Sequence, residues 1–317
     1  MSTLRPRFRR LAAVLLLTAA AGCRRPEPPP ASPPLDPDAV DGTAALEEVR
    51  RFLAVGPRVS GTDGARDAAH YLERRLRELE VAPSLDVFTQ PAPGGDVVFR
   101  NVLAVIPGRR PCTVVLLSHY DTKAGISPAF IGANDSGSST GLLLVLAREL
   151  AARAPLPCEV LVAFVDGEEC VRAYGPRDGL HGSRRLASHL RARGKADAVR
   201  GVLVLDMIGD ADLRVTLPRN GTPALMSAVF DAAREDGSRS AFGLARGTVL
   251  DDHVPFLEAG MPAVDLIDFE FGSTPGRNDY WHTDEDTFDK LSAESLETVG
   301  RVVIRVLNRL MADPAER

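Results

Sequence analysis

At 317 residues, with 44% hydrophobic and 26% charged content, the chain carries enough apolar material for one large domain or two small ones. Its formal charge of -5 comes from intermixed Asp, Glu, Lys and Arg, without the basic face of a phosphate-backbone binder, so no nucleic-acid partner is expected.

The first residues read as an address. Arg5, Arg7, Arg9 and Arg10 precede LAAVLLLTAAA at residues 11–21, an apolar run too short to span a bilayer and of the length of a signal-peptide core. The run ends at Ala20-Ala21-Gly22-Cys23, which resembles the processing box of bacterial lipoproteins. Residues 1–23 are therefore expected to be a signal sequence, with Cys23 lipidated as the mature N-terminus and anchored to a membrane. Ordinary cleavage after small residues is the alternative. The expected location is the cell envelope as a lipoprotein, or otherwise the periplasm or medium. Residues 24–40, which include RRPEPPPASPPLDPD, predict an extended proline-rich tether outside the fold.

A single domain is predicted over residues 41–317. Residues 41–55 and 62–79 predict helices, the second with Ala65, Ala69, Leu72, Leu76 and Leu79 on one face and Thr62 and Asp63 at its start. Short β-rich runs then alternate with helical ones: VVFRNVLAVI, TVVLLSH, a helix over 137–153, EVLVAFVD, a helix over 182–193, VLVLDMI, RVTLP, a helix over 223–235, AVDLIDF and a helix over 292–311. The strand runs are continuously apolar rather than alternating, as in strands buried on both faces. The predicted fold class is α/β, a mostly parallel central sheet flanked by helices.

Apart from Cys23, the cysteines are Cys112, Cys158 and Cys170, an odd number. Cys112 begins CTVVLLSH and Cys158 begins CEVLVAFV. If those strands are parallel neighbours, their first residues lie side by side and a Cys112–Cys158 disulfide can form. Three buried thiols behaving as small apolar groups is the alternative.

The polar residues that carry chemistry cluster just after the strands, at the edge of an open α/β sheet where ligands bind. TVVLLSH runs into His119 and Asp121, and Asn134-Asp135 in GANDSG precedes the next helix. EVLVAFV runs into Asp166, Glu168 and Glu169; VLVLDMIG carries Asp206; the last third supplies Asp251, Asp252, His253 and Trp281-His282. An acidic pair that ends a strongly apolar strand is hard to solvate, and buried carboxylates persist when paired or bound to metal. Of six histidines, His119, His253 and His282 fall in these strand-end segments, whereas His70 and His189 lie on helices as ordinary histidines. Imidazole with carboxylate oxygen, and no cysteine in ligand spacing, suits zinc at a catalytic site. SGSSTG lacks the G-x-S-x-G nucleophile elbow, and no phosphate-binding G-x-x-x-x-G-K-[ST] loop occurs.

From about residue 45 onward these segments resemble the zinc aminopeptidase and glutaminyl cyclase family. The resemblance implies a zinc-exopeptidase-like three-layer sandwich. It also implies one or two zinc ions held by His119, Asp135, Glu169, Asp206 and His282, with Glu168 as general acid/base. Aminopeptidases of this family bridge two zinc ions through the Asp135 position, with His119 and Asp206 on one ion and Glu169 and His282 on the other. Animal-type cyclases hold one zinc on the Asp135, Glu169 and His282 positions and keep Asp206 and Asp251 in a hydrogen-bonded proton network. FVDGEEC followed by YGPRDGLHGSRRLA, Asp251 in LDDHVPF and Trp281 before His282 resemble the cyclase branch most. Tyr174 stands where cyclases have a pocket Trp and Asp265 where they have a His, so Trp281, Tyr174 and Asp265 are the expected pocket residues. The expected activity is conversion of N-terminal Gln of peptides or proteins to pyroglutamate with release of ammonia, by a monomer. Hydrolysis of the N-terminal residue is the alternative activity.

Overall fold

The computed structural model describes residues 33–313. The expected signal sequence, Cys23 and the first part of the tether lie outside the described residues. The tether was expected to reach residue 40, but the chain joins the fold earlier. Leu35 and Val40 are buried in the main core. The Leu35 N–H and C=O pair with the side-chain amide of Asn308 on the C-terminal helix, Ala293–Met311, each at 2.8 Å. An apolar residue every few positions gives this segment area to bury, and proline, already restricted in φ, loses little freedom on docking.

Helix α1 (Gly42–Leu53) is capped by Asp41, whose carboxylate accepts the Ala44 N–H at 2.9 Å. Helix α2 (Asp63–Glu78) is capped by Thr62 and buries Ala65, Ala69, Leu72 and Leu76, the face predicted to be apolar. Strands β1 (Pro83–Ala92) and β2 (Gly95–Ile106) form an antiparallel hairpin. β1 was not anticipated: it has no apolar run, carries prolines at both ends, and is a strand because β2 pairs with it at the sheet edge. Then follow β3 (Gly108–His119), α3 (Ser139–Ala151), β4 (Leu156–Val165), α4 (His181–Ala192), β5 (Val199–Asp206), β6 (Val215–Leu217), α5 (Pro223–Asp236), β7 (Phe242–Leu244), α6 (Val254–Glu258), β8 (Ala263–Ile267) and α7 (Ala293–Met311).

The strands form one eight-stranded sheet in the order β1-β2-β4-β3-β5-β8-β6-β7. Its centre, β4-β3-β5-β8, is parallel, while β2 joins β4 and β6 joins β8 antiparallel. Because successive side chains point to opposite faces, the central strands feed two cores. Val114, Leu116, Val160, Val162, Phe164, Leu203 and Leu205 share one core with residues of α1, α3, α5 and α7. Val115, Leu117, Leu161, Ala163, Val202 and Val204 share the other with Leu186 and Leu190 of α4 and Phe256 of α6. Each fully buried Val, Leu or Phe contributes about 1.5–3 kcal/mol, so a polar residue at any of these positions would be costly. This is why the strand runs are continuously apolar. Gly141 lets α1 and α3 cross closely: a Cβ there would stand 2.4 Å from Cγ2 of Val49 and 2.8 Å from the Ala45 carbonyl oxygen.

β3 and β4 are parallel neighbours, and a bulge between Arg110 and Thr113 sets Cys112 beside Cys158. The two are bridged, with Cα atoms 5.0 Å apart, and Cys170 is a buried free thiol. No helix among the described residues is long and apolar enough to cross a membrane.

Candidate metal centre

The parallel strands β3, β4, β5 and β8 all end at one edge, and the loops that leave them bring the chemistry together. β3 ends on His119, β5 on Asp206, and β4 runs directly into Asp166, Gly167, Glu168 and Glu169. Asp135 lies in the irregular turn Ala133–Ser138 before α3, with non-helical φ -102° and ψ 88°. His282 follows the loop 269–280 and takes φ +54°, a left-handed conformation that a non-glycine residue holds at a cost.

Two sets of donors result, and they share Asp135. His119 Nε2 lies 3.1 Å from Oδ1 of Asp135 and 3.4 Å from Oδ1 of Asp206. His282 Nε2 lies 3.2 Å from Oδ2 of Asp135 and 2.9 Å from Oε1 of Glu169. Within each set the donor atoms fall inside 4.8 Å of one another. Asp135 thus presents one oxygen to each histidine. The donors fit a metal ion on an observation independent of residue type: both ring nitrogens of His119 and Oδ1 of Asp206 are buried without a hydrogen-bond partner. Buried polar atoms are almost always paired, so the convergence of His119 Nε2 with the Asp135 and Asp206 oxygens fits a cation placed between them. Imidazole and carboxylate donors in this number suit zinc.

Charge follows from the same crowding. Burial alone would raise the Asp135 pKa, but His119 and His282 outweigh it and hold the carboxylate ionised, below its ordinary range. Burial lowers both imidazoles, yet Asp121, Asp135 and Asp206 raise His119 well above its ordinary value, and Asp135 and Glu169 raise His282 to about 9. Burial first, then neighbouring acids, raises Asp206, Glu169, Glu168 and Asp251. For Glu168 the strongest neighbour is Asp251, followed by Glu169, and both Glu168 and Asp251 stand well above the carboxylate range.

Glu168 stands outside both donor sets. Tyr174 donates its phenol to Oε1 of Glu168 at 2.8 Å. Trp281 donates its indole N–H to Oδ2 of Asp135 at 3.1 Å, stacks on His282 at 4.1 Å between centroids, and is 36% exposed, so it forms part of the rim. Asp251 accepts the Asp252 N–H, and Asp206 is the neighbouring charge that raises it most after burial. Asp265, expected to line the pocket, is fully buried on β8 with neither oxygen hydrogen-bonded and His253 Nδ1 3.8 Å away. Its register beside Val204 turns it inward, beneath Asp206 and Asp251. His253 is not brought to the donors; it lies 2.9 Å from the Asn220 amide, and burial lowers it to about 4. His70 and His189 stand on the surfaces of α2 and α4.

Of the residues that hold the site, Asp121 was marked by its place after a strand, while Asp286, Arg58 and Lys123 gave no sequence signal of it. Asp121 accepts the backbone N–H of both Glu168 and Glu169 at 3.2 Å and faces Nδ1 of His119 at 3.5 Å, so one carboxylate orients three site residues. Asp286 accepts the N–H of Asn134 at 2.6 Å and of Asp135 at 3.1 Å. The fully buried Arg58 donates to the carbonyls of Tyr120, Ile131 and Gly132, tying the His119 and Asp135 loops. Lys123 donates to Oε2 of Glu169 at 3.1 Å. An isolated Arg, Lys or Asp in a loop has the same local pattern as a solvated residue.

The model of peptidase family M28 matches residues 101–307. The chain is similar to the glutaminyl-peptide cyclotransferase-like protein of Bos taurus, 30% identical over 283 residues that cover 80% of this chain and 72% of the relative. In structure it is similar to an Acidobacteriales bacterium glutaminyl cyclase, with TM-score 0.80 and 34% identity over 86% of this chain and 94% of the other. It is also similar to the Porphyromonas gingivalis glutaminyl cyclase, with TM-score 0.76 and 29% identity over 86% and 99% of the two chains.

Proposed function

The chain belongs to peptidase family M28, among its glutaminyl cyclases, and on that premise we propose that it converts N-terminal Gln of peptides to pyroglutamate with release of ammonia. The observation that carries this reading is the buried group of Glu168, Asp206 and Asp251 beside the shared ligand Asp135. Buried carboxyl groups whose hold on a proton is strengthened suit a reaction whose only traffic is a proton from an amine to a leaving amine.

Zinc would be held by Asp135, Glu169 and His282. Bound there, it supplies Lewis-acid polarisation of the side-chain amide carbonyl. Glu168 takes a proton from the substrate α-amine as that nitrogen attacks the amide carbon, and returns it to the departing ammonia. It can do both because it stands near the ligands without being one of them. Asp251, kept protonated by burial and by Asp206, is a hydrogen-bond donor inside the site. Trp281 holds Asp135 in orientation through its N–H and offers its ring as one wall for the substrate.

A second reading has its own observation. His119, Asp135 and Asp206 form a complete second donor set, as a two-zinc aminopeptidase requires, and Glu168 would then activate water instead of an amine. One assay separates them: purified zinc-loaded protein is incubated with a Gln-initiated and a Leu-initiated peptide and followed by mass. Loss of ammonia from the first is expected. Release of free Leu from the second, with no ammonia loss, would replace the cyclase reading by the aminopeptidase one.

Export and a lipid anchor at Cys23 complete the proposal, supported by the basic and apolar leader and the Ala20-Ala21-Gly22-Cys23 box. Labelled fatty acid incorporated by the wild-type chain but not by Cys23→Ser is the expected result; equal labelling of both would remove the anchor.

A further inference from the structure

Tyr174 makes a contact that a pocket wall does not need. Its hydroxyl donates at 2.8 Å to Oε1 of Glu168, and among the described residues no other hydrogen bond reaches that carboxylate. The ring lies in a slot left by Gly179, where φ is +76° and a Cβ would come 2.5 Å from Cδ1 of Tyr174 and 2.8 Å from the Glu168 carbonyl oxygen. Two further ties close that slot. The Leu180 N–H donates to the Glu168 carbonyl at 2.9 Å, and the Asp178 carboxylate accepts the N–H groups of Val171, Arg172 and Ala173. Asp178 N–H in turn donates to the Gly175 carbonyl, so the turn next to Tyr174 is pinned at both ends. Backbone and ring together hold the phenol against Glu168.

A carboxylate that exchanges protons has two equivalent oxygens and rotates between them unless something holds one. A hydroxyl bond at 2.8 Å is directional, and it strengthens whenever the acceptor is ionised, which is enough to select a rotamer. We propose that Tyr174 is a positioning residue for the proton-transfer step: by donating to Oε1 it fixes the plane of the Glu168 carboxylate and leaves Oε2 to exchange the proton with substrate. This rests on Glu168 as the proton carrier, as assigned above, and it gives the phenol a role beyond lining the pocket.

The test compares wild type with Tyr174→Phe, which keeps the ring in its slot and removes only the bond. On a Gln-initiated peptide kcat is expected to fall about ten- to a hundredfold, the range for one bond to a charged group, with KM within twofold. Zinc content should not change, and the protein should remain folded. A kcat within twofold of wild type, or an effect confined to KM, overturns the assignment and leaves Tyr174 as a contact for substrate. If wild type hydrolyses a Leu-initiated peptide and does not cyclise, the cyclase reading fails on its own, and the same fall in kcat is expected for hydrolysis. If wild type shows neither activity, the crystal structure decides: a Glu168 carboxylate that swings to a second rotamer in Tyr174→Phe supports the proposal, and one that stays in place overturns it.

Discussion

Glu168 is 4% exposed, sits between Asp251 and Glu169 in the electrostatics of the site, and yet binds neither histidine. Its neighbour Glu169 does, through His282. Two adjacent carboxylates therefore have different tasks because the backbone N–H groups of both are held on Asp121 and their side chains diverge. Glu168→Gln keeps the shape and the acceptor for Tyr174 while removing the acid. Zinc content is expected to be unchanged and kcat to fall at least about a hundredfold, measured by metal analysis and mass-based turnover. Turnover within a few-fold of wild type would remove Glu168 from proton transfer. The acidic pair was legible in the sequence because it ends an apolar strand, where a solvated face has no room. Arg58, Lys123 and Asp286 were not, since their importance lies in what they touch.

His282 gives the site a pH dependence whose sign can be worked out. In the metal-free protein its folded pKa is raised from 6.5 to about 9 by Asp135 and Glu169 against the opposing effect of burial. The imidazolium form therefore stabilises the metal-free fold fully below pH 6.5, and that contribution fades as pH rises through about 9. A metal needs the neutral ring, so zinc binding at pH 7.5 is expected to release protons and the apparent affinity to rise as pH approaches 9. Calorimetry in buffers of different ionisation enthalpy measures this directly; zinc uptake with no proton release at pH 7.5 would contradict it.

At the scale of elements, the long apolar-periodic segments were legible to within a few residues, because helix caps such as Asp41 and Thr62 and two-face burial leave marks in sequence. β1, the short β7 and the short α6 were not: each is held by its neighbours rather than by its own pattern. The Asp135 turn is the functional case. Its backbone conformation is set from a distant loop, by the two oxygens of Asp286, which stands four residues beyond His282 on the same segment. One segment thus supplies a ligand and orients the ligand it partners. An amide in place of that carboxylate has a single acceptor oxygen, so Asp286→Asn leaves one of the two N–H groups unpaired. The expected outcome is a folded protein whose zinc affinity is weaker about 10–100-fold, read by competition with a chelator. Unchanged affinity would place the control of Asp135 elsewhere.

On the scale of the whole molecule, the Cys112–Cys158 bridge joins neighbouring central strands across a sequence separation of 46. Closing a loop of that length restricts the unfolded chain by about 4 kcal/mol in the chain-entropy account. Replacing both cysteines by Ala should lower the urea midpoint accordingly and leave kcat unchanged, since the bridge lies at the start of the strands and the site at their ends. Equal midpoints would show that the bridge adds no stability. The sequence by itself determined the α/β class, the alternation of the long central strands and helices, and the residue types of the metal centre, because burial on two faces forces apolar runs and chemistry is confined to where those runs stop. Tertiary structure alone decided that Asp135 divides its oxygens between His119 and His282, that Asp265 is buried, and that the chain enters the core at Leu35. Each of these depends on which loops a parallel sheet sets side by side, a matter of three-dimensional register that no local pattern of residues encodes.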